Sequence, residues 1–180
     1  MITQRPLSLL IRPRALVFIE KFNAEVARAL ADFEAIAATP QEDGTLLEAL
    51  WEPYLEAAID HLQRVASVPV KTSELRINYV VGDPTLEPVL AVKVTCPETF
   101  VGDVMLDLTR RRGVITGLDD ADGSKQIDAC VPLAELIGYV AHLRAITLRT
   151  GTASATFFEY QPIPPAPEGP RGPIANVMRV

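Results

Sequence analysis

The chain has 180 residues, 48% of them hydrophobic and 22% charged, and a formal net charge of −6. This is the composition of a globular protein and excludes a disordered one, and no apolar run approaches the roughly 20 residues needed to span a bilayer. The acidic balance argues against general coating of nucleic acid but leaves room for a local basic patch.

The opening stretch MITQRPLSLLIRPR has a short apolar core broken by Arg12 and Pro13, without a signal-peptide pattern, so a cytoplasmic protein is expected. Two cysteines, Cys96 and Cys130, and two histidines, His61 and His142, lack metal-site spacing, and no metal or cofactor is expected. Residues 1–84 carry eight Lys/Arg against twelve Asp/Glu, and residues 85–180 nine against eleven. Any basic surface must therefore come from clustering within a half.

PLSLLIRP reads as a strand. Two readings then compete. Two long helices, 14–38 and 46–66, would put Pro53 inside a helix at a cost of about 3 kcal/mol. The alternative is a helix over ALVFIEKFNAEVARALADF, with Val17, Phe18, Phe22, Val26, Ala29, Leu30 and Phe33 near one face. Strands EAIAAT and TLLEALW follow, joined at the turn pair Asp43-Gly44. Pro53 then opens the helix PYLEAAIDHLQRVA, where proline is favoured. VPVKTSELRINYVV ends the unit as an extended segment. The second reading, βαββαβ, removes the proline conflict, although alanine-rich EAIAAT still suits a helix.

The second half repeats the order. EPVLAVKVTC alternates, with Leu90, Val92 and Val94 on one face and Ala91, Lys93 and Thr95 on the other. Pro97 opens a helix whose stripe is Val101, Val104, Met105 and Leu108, and Gly113 stands at the left-handed position that ends it. VITGLDDADGSKQIDACVP is a hairpin turning at Asp122-Gly123, with Ile127, Ala129 and Val131 inward. PLAELIGYVAHLRAITLRTG is one helix with the stripe Leu133, Leu136, Ile137, Val140 and Leu143, and TASATFFEY is the last strand. The predicted fold is α+β: two tandem ferredoxin-like βαββαβ sandwiches over 1–84 and 85–161, with a flexible Pro/Gly-rich tail over 162–180. In that topology the two cysteines lie toward opposite ends of the sheet, too far apart for a disulfide.

EPVLAVKVTCPE, GDVMLDLTRRRGVITG, VPLAELIGYVAHLRAIT and RTGTASATFFEY resemble domain V, the C-terminal domain, of translation elongation factor G, over 86–160. Cys96 departs from the threonine that the family carries there. GTLLEALWEPYLEAAIDHLQRVASVPVKTSELRINYVV is similar to domain III of the same family, whose Gly-Glu-Leu-His-Leu appears here as Trp51 to Leu55. No G-x-x-x-x-G-K-[ST] loop is present, so the family's GTPase chemistry has no counterpart in this sequence. Nor do the family's barrel domain or domain IV: Val81 passes through Gly82, Asp83 and Pro84 directly into the second unit.

The resemblance implies docking on the ribosome, against large-subunit RNA and protein near the GTPase-associated centre. Arg110, Arg111 and Arg112 are the first candidates for that contact. Arginine forks phosphate oxygens, so readout would follow RNA shape and backbone. Cations in a last helical turn also complement the carbonyl end of the dipole, at about 0.3–1 kcal/mol each, and three in succession fan around the helix and cannot all face one partner. Arg144 and Arg149, on or just after the last helix, join the candidates, with an ordinary solvated face as the alternative. Lys93 and Lys125 decorate the sheet. Phe158 and Tyr160 belong on the open sheet face with Thr95 and Gln126, where packing against the first unit is favoured over stacking RNA bases. His61 and His142 read as surface histidines. Asp119, Asp120 and Asp122 read as a solvated hairpin tip, since their spacing fails the calcium-loop rule. No nucleophile–base pair is visible, so no enzyme, small-molecule substrate or membrane partner is expected. The alternative function is a protein-interaction or scaffold module that no longer touches the ribosome.

Overall fold

A computed structural model describes residues 5–164; most of the predicted tail, 165–180, lies outside the described residues. Two antiparallel sheets, each backed by helices on one face, follow one another along the chain.

The first sheet holds β1 (Leu7–Pro13), β2 (Ile36–Gln41), β3 (Gly44–Ala49), β4 (Val70–Thr72) and β5 (Arg76–Ile77), in the order β2-β3-β1-β4 with β5 also on β1. Its helices are α1 (Ile19–Ala29) and α2 (Glu52–Val65). Alternation sends Leu7, Leu9 and Ile11 inward against Leu47 and Ala49. Phe22, Val26 and Leu30 of the first helical stripe, with Leu55, Ala58 and Leu62 of α2, complete the core. Pro53 stands in the first turn of α2, as proline's missing N–H favours. Asn23 is buried on α1; its amide donates to the Gln41 carbonyl at 3.0 Å and its carbonyl accepts the Thr45 hydroxyl at 2.8 Å, tying helix to hairpin.

The second sheet holds β6 (Leu86–Cys96), β7 (Val114–Ala121), β8 (Ser124–Pro132) and β9 (Thr152–Pro162), in the equivalent order β7-β8-β6-β9. Its helices are α3 (Val101–Arg110), entered through the 3-10 turn Glu98–Phe100, then α4 (Leu133–Leu136) and α5 (Tyr139–Ile146). Leu90, Val92, Val94, Ile127, Ala129 and Val131 line its helix-facing side, as alternation predicts. Both units are ferredoxin-like sandwiches.

Four local expectations are corrected. α1 begins at Ile19, so Val17 and Phe18 lie ahead of it and are exposed. In the first hairpin Gly44 pairs with Gln41, so Glu42 and Asp43 make the turn. A Cβ on Gly44 would collide with the Ile11 carbonyl across the sheet, so close strand approach demands glycine there. The last helix is two: Ile137 is extended and Gly138 left-handed (φ 71°), so Ile137 turns outward and Tyr139 takes its buried place. The fourth, at Gly113, belongs with the arginines below. The second hairpin turns as expected at Asp122 and Gly123, both with positive φ.

The two units touch. Val80 and Leu86 exchange both backbone hydrogen bonds, at 3.0 and 2.9 Å. Glu52 in the first turn of α2 accepts the Gly138 N–H at 2.5 Å. Tyr160 donates to the Asn78 carbonyl at 3.4 Å, while Phe158 remains half exposed. No helix among the described residues is long and apolar enough to cross a membrane.

Candidate nucleic-acid interface

The five candidate arginines fall into three different situations, decided by how α3 and α5 end. The Arg112 N–H donates to the Thr109 carbonyl at 3.1 Å, and the Gly113 N–H to the Leu108 carbonyl at 2.9 Å. That pair of bonds is a Schellman closure. Its left-handed residue is Arg112 (φ 59°), not Gly113 as the sequence predicts. Gly113 is needed one position later, where a Cβ would press on the Leu108 carbonyl and the Val131 side chain.

Forcing an arginine into the left-handed well costs on the order of 1 kcal/mol. Its side chain explains why it is held there. Arg112 pairs with Glu87, whose carboxylate is only 7% exposed, and with Glu135 at 3.4 Å. Burial pushes the Glu87 carboxyl above its ordinary range, and Arg112 opposes that shift. Arg111 is also engaged. It pairs with Asp107 at 2.9 Å, donates to the Glu135 carbonyl at 2.6 Å, and lies 5.2 Å from the centre of the Tyr139 ring. The Tyr139 hydroxyl is buried, and burial drives its pKa up. Arg111 and Arg112 therefore lock the end of α3 to the entry of α5 and the start of β6. Arg110 is exposed and has no side-chain partner among the described residues.

Arg144 and Arg149 come together. A shallow concavity is lined by Ala141, Arg144, Ala145 and Arg149, with no carboxylate on its wall. α5 closes with a second Schellman pair, Leu148 N–H to Ala145 carbonyl at 3.4 Å and Arg149 N–H to Arg144 carbonyl at 2.6 Å. Leu148 (φ 50°) and Arg149 (φ 68°) are both left-handed. This turn brings Arg149 back alongside Arg144. The buried Thr147 side chain braces it, donating to the Leu143 carbonyl at 2.6 Å and accepting the Gly151 N–H at 2.9 Å. Arg110 lies at the opposite end of this helical layer, because Arg111 beside it meets the entry of α5. The structure brings together Arg144 with Arg149, and Arg111 with Arg112; it does not unite all five.

The remaining candidates have local partners. Lys93 faces Asp128 at 3.7 Å and Lys125 holds Asp120 at 2.5 Å. His142 lies 3.2 Å from Asp107, and the His61 ring packs tilted against Phe33, with centroids 5.1 Å apart. Cys96 pairs across strands with Lys125 and Cys130 with Ala91, so the thiols are separated along the sheet; burial raises both pKa values and disfavours thiolate. Glu87 and Glu135 were missed by sequence reasoning. Simple alternation puts Glu87 on the face of Ala91 and Lys93; the register shift between Val89 and Leu90 breaks that alternation and Glu87 is buried, so no local pattern marks it as a carboxylate that a cation must cover.

Comparison with known proteins agrees with this architecture. The family model described as "Elongation factor G C-terminus" matches residues 85–169. Elongation factor G of Cytophaga hutchinsonii is 46% identical over 83 residues, a stretch that makes up 46% of this chain and 12% of that protein. The chain thus spans far less than the length of the curated relative it matches. A crystal structure of a protein from Thermus thermophilus superposes with a TM-score of 0.58 at 17% identity, covering 92% of this chain and 42% of that one, a likeness of fold across both sheets. The family match falls on β6 through β9 with their helices, so it is the second unit of this chain that is similar to the C-terminus of elongation factor G.

Proposed function

We propose that this chain is a translation-factor module of the cytoplasm, divided near residue 84 into a domain III-like and a domain V-like part, that docks on the ribosome at the large-subunit factor site without catalysing a reaction itself. The observation that carries this reading is the Arg144–Arg149 pair, held in one concavity with no acidic partner among the described residues, on an otherwise acidic protein. Buried or paired cations serve the fold; two adjacent guanidiniums with no ion pair among the described residues suit successive phosphates. Arg110, at the other end of the helical layer, supplies a second contact point. Arg111 and Arg112 contribute by shaping that end rather than by touching RNA.

Co-sedimentation with large ribosomal subunits tests the proposal. The wild-type chain pellets at about 50 mM salt and is released toward about 200 mM, as phosphate contacts require. The Arg110→Glu/Arg144→Glu/Arg149→Glu variant loses binding at least about tenfold, with unchanged circular dichroism. A wild-type chain that stays in the supernatant at low salt, or pelleting indifferent to the triple reversal, refutes the reading.

A further inference from the structure

The open face of the first sheet, the side away from its helices, takes no part in the proposed ribosome docking. Along β1, alternation sends Ser8, Leu10 and Arg12 to that face, opposite the core residues Leu7, Leu9 and Ile11. A recess of about 430 Å³ lies there, a size that suits a small molecule. From Ser8 to Arg12 the strand rises about 13 Å, so the recess has two ends and a middle. The middle is apolar: Leu10 and Leu46 are cross-strand partners and both line it. One end is closed by an ion pair. Arg12 donates to Asp43 at 2.6 Å, which engages the one carboxylate among the described residues of the wall.

The other end has donors to spare. Arg76 on β5 lies across from Ser8, lines the recess, is exposed, and has no ion pair among the described residues. Glu48, on the other side of Ser8 in that row, is not part of the wall and makes no ion pair with Arg76. Ser8 is only 6% exposed, and its hydroxyl donates to the side-chain carbonyl of Asn78 at 3.2 Å. That bond fixes the Asn78 amide and leaves its nitrogen, a donor, without a partner among the described residues. The Asn78 backbone is held from both sides: its N–H donates to the Pro6 carbonyl at 2.7 Å, and its carbonyl accepts the Tyr160 hydroxyl at 3.4 Å. A guanidinium and an amide nitrogen thus stand on fixed supports at one end of an apolar floor. Such donors suit the oxygens of an anion and lose little freedom when they bind it. We propose that this recess binds a small organic anion, with its apolar body over Leu10 and Leu46 and its carboxylate or phosphate on Arg76 and Asn78.

NMR titration of the isotope-labelled full chain tests this. Benzoate and phenyl phosphate are the probes, since each joins a flat apolar body to one of the two anionic groups. Benzyl alcohol and inorganic phosphate each lack one half. The expected result is that at least one probe shifts the amides of Leu10, Ser73 and Arg76 and saturates with a Kd of about 1 mM or tighter. The tighter of the two probes tells carboxylate from phosphate. Benzyl alcohol and inorganic phosphate bind at least about tenfold more weakly. Arg76→Gln and Asn78→Asp each weaken the probe at least about tenfold. Asn78→Asp keeps the oxygen that Ser8 bonds, so the sheet remains intact, and unchanged amide positions elsewhere verify it. No shift with either probe at about 10 mM, or shifts indifferent to both variants, overturns the inference. So does inorganic phosphate that binds as well as phenyl phosphate, which would mean an adventitious ion only. None of these outcomes depends on ribosome binding, because no arginine of the helical layer is touched.

Discussion

At the scale of single residues, the three consecutive arginines separate into distinct jobs. Helix-dipole complementation accounts for any of them at about 0.3–1 kcal/mol and cannot tell them apart. Their partners can. Arg112 covers the nearly buried Glu87, so Arg112→Ala leaves a carboxylate in a poorly solvated site. The expected loss is about 1–3 kcal/mol, tempered by the relief of a left-handed arginine and by the partial exposure of the pair. The pH dependence has a defined sign. Burial raises the folded-state pKa of Glu87, so its neutral form is favoured in the folded chain and its contribution to stability falls as pH rises through that raised value. Removing Arg112 removes the cation that opposes the shift. The deficit of Arg112→Ala is therefore largest near neutral pH and shrinks in acid, where Glu87 is protonated. Urea unfolding at several pH values measures it. Adding Glu87→Gln to Arg112→Ala recovers part of the loss at neutral pH; a deficit that stays constant with pH would show that Glu87 is not the group responsible.

At the scale of elements, the helix ends depart most from ordinary sequence rules. Glycine is the usual left-handed terminator. Here both Schellman closures place other residues in that conformation: Arg112 after α3, and Leu148 followed by Arg149 after α5. Arg112 has ion pairs to hold it. Leu148 has no such compensation, since its side chain is 75% exposed. Leu148→Gly consequently raises stability by about 0.5–1 kcal/mol, the relief of the left-handed strain exceeding the greater freedom of glycine in the unfolded chain. Leu148→Ala, which retains a Cβ, gains little. Chemical denaturation of the three proteins checks the order. If the alanine variant gains as much as the glycine variant, loss of an exposed apolar side chain rather than backbone relief is at work. These ends also mark where the sequence was hardest to read. Gly113 suggested a left-handed terminator because glycine is the usual residue there, yet its actual constraint is the nearby Leu108 carbonyl. The run from Leu133 to Ile146 has a continuous apolar stripe, and only the left-handed Gly138 breaks it into two helices.

At the scale of the whole molecule, the alternation of β1, β6 and β8 and the helical stripes carried enough information to read both sandwiches, because burial of one face imposes a period on each element. Pro53 decided between the helical and the βαββαβ readings of the first half, since its ring fits the opening turn of α2 and not a helix interior. The partners of the arginines were not legible, because Glu87 and Glu135 meet them only after the fold brings separate elements together. The contact between the units was equally hidden. Glu52 and Gly138 belong to different sandwiches, and neither has a local pattern pointing to the other. Yet their bond does two things at once. A carboxylate at the entry of α5 meets the positive end of a helix, and it satisfies an N–H that the helix itself cannot. Glu52→Ala therefore opens the Gly138 amide without disturbing either core. A charge-assisted hydrogen bond of about 1.4 kcal/mol corresponds to about tenfold faster exchange at that amide. Hydrogen exchange followed by NMR reads it against the amides of Val92 and Leu47, which remain protected inside their sheets. Unchanged protection at Gly138 would mean that the Val80–Leu86 pairing and the Tyr160–Asn78 bond hold the two units together without Glu52.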